Sequence, residues 1–105
     1  MSAIAAVRAG PLKVSERDFL RAVCDYATLR RWRQYHTFDS RRSVYGFPDL
    51  ILIRDGVCVA LELKSEKGKT TEAQRDWVDE LDAVAGITAR IVRPSDWDEI
   101  VSLLR

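Results

Sequence analysis

The pattern of apolar and polar positions predicts a β-hairpin in the middle of the chain. Residues 50–53 and 57–61 are apolar runs rich in leucine, isoleucine and valine, and Asp55-Gly56 stands between them. An Asp-Gly pair between two such runs is the strongest short-range indication of a two-residue hairpin turn. We therefore expect two antiparallel strands joined at this pair.

The register of this hairpin would bring two carboxylates together. If only Asp55 and Gly56 form the loop, counting outward along both strands places Asp49 opposite Glu62. Cross-strand partners have Cβ atoms roughly 4.5–5.5 Å apart. Side chains alternate along a strand, so Lys64 shares the face of Glu62. The hairpin is thus expected to place an acidic pair and a lysine on one sheet face.

Two facing carboxylates destabilise a sheet unless something compensates their charge. A divalent cation fits, because carboxylate oxygens, the backbone carbonyl of Leu63 and several waters make a typical magnesium shell. For an arbitrary Glu-x-Lys, a surface ion pair on an edge strand is the better interpretation. Here the neighbours of Glu62 and Lys64 are apolar on both faces, which is typical of a central strand. We therefore predict a Mg²⁺ site at Asp49, Glu62 and the Leu63 carbonyl.

The remaining pattern predicts an α/β fold of order αβββαβα with a central four-stranded mixed sheet flanked by helices. A first helix should begin after Ser15 as N-cap and end near Arg30. Thr71 to Gln74 is a capping box, expected to open a helix that Gly86 ends. The other expected features are a strand over 32–38, a mobile loop over 65–69, an inner helix face of Trp77, Leu81, Val84 and Ala85, a strand over 88–92 and a last helix from Pro94.

Two segments carry a resemblance to a known family. The run Gly46-Phe47-Pro48-Asp49-Leu50, followed by Glu62-Leu63-Lys64, resembles the signature of the PD-(D/E)xK nuclease superfamily. The continuation through Gly68-Lys69-Thr70, Gln74, Trp77 and Gly86 is similar to the VRR-NUC branch, which includes small stand-alone phage and bacterial proteins. The resemblance covers about residues 14–104. It implies a restriction-endonuclease-like core with the site at one end of the hairpin.

The resemblance adds three candidates to Asp49, Glu62 and Lys64. Glu16 matches an acid that contacts the metal, often through water, although a helix N1 carboxylate is an equally good interpretation. Gln74 matches a glutamine that approaches the site, although it is also the third residue of the capping box. Gly46 would let the backbone approach a phosphate, although a turn before Pro48 explains it almost as well.

Length and charge limit the alternatives. The chain has 105 residues, 47% of them hydrophobic, which suits a single domain with one core. We expect residues 1–12 to be a flexible or partner-docked tail and residues 13–105 to be one nuclease domain. The net charge of +1 predicts no overall attraction to nucleic acid, so the distribution of charge matters more.

Basic residues cluster between positions 30 and 42, where Asp39 is the only acid. Guanidinium groups suit phosphate contacts, and exposed aromatic rings can stack on unpaired bases. Without the resemblance, such a cluster is more often a solvated surface. The predicted DNA-binding residues are Arg30, Arg31, Arg33, Arg41, Arg42, Ser43, Tyr45, Gly46, Lys67 and Lys69.

The cysteines and the apolar runs bear on the compartment. Cys24 and Cys58 lack metal-motif spacing and stand in apolar stretches, so two buried free thiols are favoured over a disulfide. The run over 3–7 is too short for a signal-peptide core or a membrane span. We expect a cytoplasmic protein without membrane contact.

These features together predict a metal-dependent endodeoxyribonuclease. It would use Mg²⁺, with Mn²⁺ as a substitute, and act on DNA; the resemblance implies a homodimer with a preference for branched or flapped substrates. Two alternatives stay open. One is a catalytically silent nucleic-acid-binding or assembly module, and the other is an RNA-directed nuclease of the same fold.

Overall fold

A computed structural model describes residues 1–37 and 43–105 and contains a four-stranded mixed sheet flanked by helices. The strands lie in the order β1-β2-β3-β4, antiparallel except for the parallel pair β3 and β4. The strands are β1 (Arg33–His36), β2 (Leu50–Arg54), β3 (Val57–Leu63) and β4 (Ile87–Val92). The helices are α1 (Ala3–Ala9), α2 (Glu16–Leu29), α3 (Glu72–Asp82) and α4 (Trp97–Leu104). The predicted α/β class and mixed sheet are confirmed.

The hairpin register is the predicted one. Arg54 pairs with Val57 and Leu50 pairs with Leu61. The two loop residues both have positive φ, 50° at Asp55 and 77° at Gly56, as a type I′ turn requires. The turn therefore sets which side chains of β2 and β3 share a face.

The two sheet faces are covered differently. On one face, α2 and α4 pack on a large apolar layer that includes Phe19, Leu52, Leu61 and Ile100, each fully buried. On the other face, α3 covers β3 and β4 through a small cluster of Ala60, Val78 and Ala89. All residues from 59 to 63 are buried, which confirms that β3 is a central strand.

Helix α2 and the C-terminal elements agree closely with the sequence pattern. Ser15 caps α2 by accepting a hydrogen bond from the Asp18 amide, and Arg30 is its C-cap. A 3-10 turn over Pro94–Asp96 leads into α4. β1 is shorter than the expected strand; Trp32 before it is in the core, and Phe38 lies outside the described residues.

Residues 1–12, expected to be a flexible or partner-docked tail, contain helix α1 in the structure. Ser2 caps α1 by accepting from the Ala5 amide, and Val7 is buried in the main core. A 3-10 turn over Pro11–Lys13 links α1 to α2. An alanine-rich run is a good helix former and its apolar face packs within the chain, which is the physical reason for this helix. The division into a tail and a domain stays a prediction.

Helix α3 begins as predicted but ends earlier. The Thr71–Gln74 capping box is present, with both reciprocal hydrogen bonds formed. The expected end at Gly86 is wrong, because Ala83 is the C-cap and Gly86, at φ 84°, forms the turn into β4. The inner-face assignment is wrong for Val84 and Ala85, which are exposed beyond the helix end. Val78 is the buried residue of α3.

Both cysteines are free, as predicted, but they are half-buried rather than buried. Burial, followed by the charge of Asp25, raises the pKa of the Cys24 thiol. Among the described residues, no helix has the length and apolar character needed to cross a membrane.

Arg54 joins the hairpin turn to the ends of two helices. Its guanidinium donates to the carbonyl oxygens of Arg30 at 2.7 Å, Leu104 at 3.4 Å and Arg105 at 2.8 Å, and it lies 4.2 Å from the centroid of the Trp32 ring. The side chain is only 26% exposed. A cation at helix C-termini satisfies carbonyl groups that have no partner within the helix. Arg54 therefore holds α2, α4 and the sheet together at this end.

We expect Arg54→Gln to lower the free energy of unfolding by about 2–3 kcal/mol, because three hydrogen bonds from a charged donor to backbone carbonyl groups would be lost. Urea unfolding followed by tryptophan fluorescence measures this change. The matched control is Arg33→Gln on the exposed side of β1, which should change stability by no more than about 0.5 kcal/mol. Equal effects of the two substitutions would contradict the role of Arg54.

Candidate active site

Asp49 is held at the end of the hairpin by hydrogen bonds on two sides. Its Oδ2 accepts from the backbone amide of Leu63 at 2.9 Å, and its carbonyl oxygen accepts from the Thr37 amide at 3.0 Å. Extending the β2–β3 register by one residue beyond Leu50 places Asp49 opposite Glu62. The fold thus keeps the Asp49 carboxylate against the strand that carries Glu62.

Glu62 is the one buried charged residue within residues 1–37 and 43–105, with 2% of its surface exposed. Its Oε2 lies 3.6 Å from Nζ of Lys64, whereas Oε1 is buried and has no hydrogen-bond partner in the described part of the chain. Buried carboxylates are costly unless they are paired and hydrogen-bonded. Oε1 is therefore an available hard oxygen ligand beside a second carboxylate.

The charges of the site act on one another. Burial raises the pKa of Glu62 to about 8; the negative charge of Asp49, a hydrogen bond to it and the charge of Glu16 add to this, while Lys64 opposes it. Partial burial raises the pKa of Glu16 too, with Asp49 as the next cause and Lys64 again opposing. The site therefore holds three acids within electrostatic reach of one ammonium group.

Asp49 and Glu62 lie in a cleft of about 300 Å³. Among the described residues, Thr37, Gln74 and residues 43–47 also line it. Within the described residues, no group of three or more His, Cys, Asp or Glu side chains is arranged to hold a metal ion. Glu16 is thus near the acidic pair without joining it, and its water-mediated role stays a prediction.

Gly46 brings the cleft loop against α3. Its φ is 90°, and an added Cβ would lie 2.8 Å from the carbonyl carbon and the Cβ of Ala73. Phe47 continues the contact, edge-to-face with Trp77 at 5.1 Å between ring centroids. Packing against Ala73 therefore explains why residue 46 is a glycine. The approach of this backbone to a phosphate stays a prediction.

Gln74 serves the capping box while lining the cleft. Its side-chain Oε1 accepts a hydrogen bond from the backbone amide of Thr71 at 2.9 Å. The backbone amide of Gln74 donates to the Thr71 hydroxyl at 3.2 Å. The side-chain nitrogen has no hydrogen-bond partner in the described residues and is available to a ligand in the cleft. Both interpretations of Gln74 are thus geometrically compatible.

The family model described as the VRR-NUC domain matches residues 10–95, which contain every acid of the site and Lys64. The chain belongs to the VRR-NUC family. This membership points to a nuclease-type function and is consistent with the PD-(D/E)xK superfamily. No curated protein and no solved structure matches the chain.

The VRR-NUC chain does not gather all its predicted DNA-binding residues around the cleft. Arg30 contacts Arg54 near the hairpin turn, Arg33 pairs with Ile53, and Arg31 adjoins them. Leu50 and Arg54 are four residues apart along β2, about 13 Å at the usual rise of a strand. These three arginines thus lie at the opposite end of the sheet from Asp49, and their contact with DNA stays a prediction.

The other basic and polar candidates lie elsewhere. Ser43 and Tyr45 line the cleft, and Tyr45 is exposed. Arg41 and Arg42 lie outside the described residues. Lys67 and Lys69 are exposed on the loop that follows β3 and Lys64.

Arg93 organises the loop after Lys64, which sequence analysis expected to be mobile. Its guanidinium donates to the carbonyl oxygens of Ser65 at 2.7 Å, Glu66 at 3.1 Å and Gly68 at 2.7 Å. Glu66 in turn accepts from the amide and hydroxyl of Ser95 at 3.1 and 2.5 Å. These contacts tie the loop to the segment after β4, and its mobility stays a prediction. The parallel pairing of β3 with β4 could have indicated the Arg93 contacts, because it brings the ends of both strands together.

We expect the free energy of unfolding, measured in EDTA, to fall as pH rises from 4.5 to about 8. In this window the folded chain retains a proton on Glu62 that the unfolded chain releases, so rising pH favours unfolding. Urea unfolding across this range measures the effect. Glu62→Gln should flatten the profile, whereas the control Glu80→Gln, at an exposed position of α3, should not. An unchanged profile in Glu62→Gln would contradict the assignment.

Proposed function

We propose that this VRR-NUC protein is a Mg²⁺-dependent endonuclease that hydrolyses phosphodiester bonds in DNA. The observation that carries the proposal is the buried, unpartnered Oε1 of Glu62, set beside Asp49 and Lys64 in an open cleft. Such a group is unfavourable for stability, and it suits a bound cation as its partner.

The donor set fits magnesium. Asp49, Glu62 and the Leu63 carbonyl would hold the ion, with Glu16 contributing through water. All of these ligands are hard oxygen atoms, and only a few of them belong to carboxylates. Magnesium prefers such a set of ligands, and manganese accepts it. When bound, the ion supplies Lewis-acid stabilisation of the charge that develops on the phosphate.

The chain's own groups supply positioning and electrostatics. The Lys64 ammonium, 3.6 Å from Glu62, would stabilise negative charge on the phosphate oxygens and orient the attacking water. The side-chain nitrogen of Gln74 would donate to an oxygen in the same cleft. The Leu63 amide holds the Asp49 carboxylate in place while these groups act.

The proposal extends to the form of the substrate and of the protein. A domain of this size offers little surface for reading sequence, and the resemblance implies preference for branched or flapped DNA and action as a homodimer. The two free cysteines favour a cytoplasmic location. A monomeric mass in solution, together with equal cutting of linear duplex, would contradict the dimer and the preference.

We expect Asp49→Asn and Lys64→Met each to lower the cleavage rate by about 100-fold or more, because the first removes the charge of a metal ligand and the second removes the ammonium that stabilises charge on the phosphate. Purified protein is assayed with Mg²⁺ or Mn²⁺ on linear, flapped, forked and four-way DNAs, and on RNA of the same sequence. Asparagine retains an oxygen that can accept from the Leu63 amide.

The matched control is Asp55→Asn in the hairpin turn, where the side chain is 92% exposed. This variant should cut as fast as the unsubstituted chain. Unchanged cleavage by Asp49→Asn would overturn the assignment of the site, and faster cutting of RNA would favour the RNA-directed alternative.

Calorimetric titration with Mg²⁺ separates the nuclease from a silent binding module. We expect heat of binding from the unsubstituted chain and little or none from Asp49→Asn or Glu62→Gln, because each variant removes a carboxylate ligand. The variant Glu80→Gln serves as the control. Equal heats from all four proteins, or none from any, would contradict the proposed metal site.

A further inference from the structure

A second concave surface lies on the opposite side of β1 from the cleft. This α2–β1 groove has a volume of about 540 Å³. Its lining includes Ser15, Arg17, Asp18, Arg21, Cys24 and His36. The predicted DNA-binding residues did not include this surface, because Arg17 and Arg21 precede the arginine cluster in the sequence.

The groove carries excess positive charge. Arg17 and Arg21 are four residues apart on α2, so they share a helix face. Both are exposed, and neither has an ion pair or side-chain hydrogen bond within the described residues. Like charges at this spacing destabilise a helix. The groove lining contains two arginines and one acid, Asp18. Without His36, its formal charge is therefore +1.

The groove and the cleft adjoin at the end of β1. His36 lines the groove, and Thr37, the next residue, lines the cleft and donates its amide to Asp49 at 3.0 Å. Ser15 lines the groove, and the next residue, Glu16, is within electrostatic reach of Asp49 and Lys64. Consecutive residues have Cα atoms about 3.8 Å apart, so the two surfaces flank the end of β1, and Glu16 brings the start of α2 near the acidic pair.

We propose that the α2–β1 groove binds the phosphate backbone of the DNA strand whose scissile phosphate lies in the cleft. The choice of DNA as occupant rests on the proposed function. Guanidinium groups match phosphate oxygens with paired hydrogen bonds, and unpaired arginines keep their full set of donors for such a ligand. The Arg17 and Arg21 backbones are about 6 Å apart along the helix axis, so their long side chains reach neighbouring phosphates.

With this placement, the groove is the principal contact of the protein with the DNA phosphate backbone. The arginines near the hairpin turn are not. Arg30 and Arg33 lie beyond the far end of β2, whereas Arg17 lies one residue from Glu16. A strand that leaves the cleft past Thr37 and His36 enters the groove directly. It would have to cross the length of the sheet to meet Arg30.

The test compares two double variants that remove the same charge. Arg17→Gln/Arg21→Gln alters the groove, and Arg30→Gln/Arg33→Gln alters the opposite end of the sheet. Binding of fluorescently labelled flapped DNA is measured by anisotropy in EDTA over a series of salt concentrations. Circular dichroism melting verifies that both variants are folded.

We expect the groove variant to bind DNA at least about tenfold more weakly. The slope of log affinity against log salt concentration should become shallower by the equivalent of about two phosphate contacts. The opposite-end variant should lose much less. Equal losses, or unchanged binding by the groove variant, would overturn the proposal. An unsubstituted chain that binds no DNA would also overturn it.

Cleavage assays on the same proteins distinguish this proposal from the proposed function. If the unsubstituted chain cuts DNA and the groove variant has the same KM, the groove proposal fails and the nuclease stands. If no protein cuts but binding depends on Arg17 and Arg21, the nuclease assignment fails and the groove stands.

Discussion

The candidate site depends on one constraint, the register of the β2–β3 hairpin. The Asp55-Gly56 turn sets that register, and the hydrogen bond from the Leu63 amide to Asp49 continues it past the end of β2. Because side chains alternate along a strand, a slip of one residue would send Glu62 into the apolar layer under α2. The turn therefore controls chemistry at the far end of both strands.

The two layers of the fold divide stability and function. The layer beneath α2 and α4 is large and apolar, whereas the α3 layer has only the small cluster around Ala60, Val78 and Ala89. The α3 layer also contains Glu62, whose burial is unfavourable without a cation. Packing on one face thus offsets the cost of the charged groups on the other, which is a common relation between stability and activity.

Local patterns predicted the parts of the fold that local chemistry determines. The hairpin, the Ser15 cap and the Thr71–Gln74 capping box each depend on residues close in sequence, and all three are confirmed. Contacts between distant segments were harder to foresee. The docking of α1, the hold of Arg93 on the loop after Lys64 and the separation of Arg30 from the cleft follow from how whole elements pack. Sequence spacing carries little information about such packing.

In the proposed nuclease, the contacts of Arg93 would lower the entropy lost when the loop after Lys64 binds substrate. Three carbonyl oxygens of the loop are already fixed before any ligand arrives. Ordering a backbone costs about 1–2 kcal/mol per residue, so a preorganised loop avoids most of that loss. Lys67 and Lys69 would then give up only side-chain freedom on meeting a phosphate.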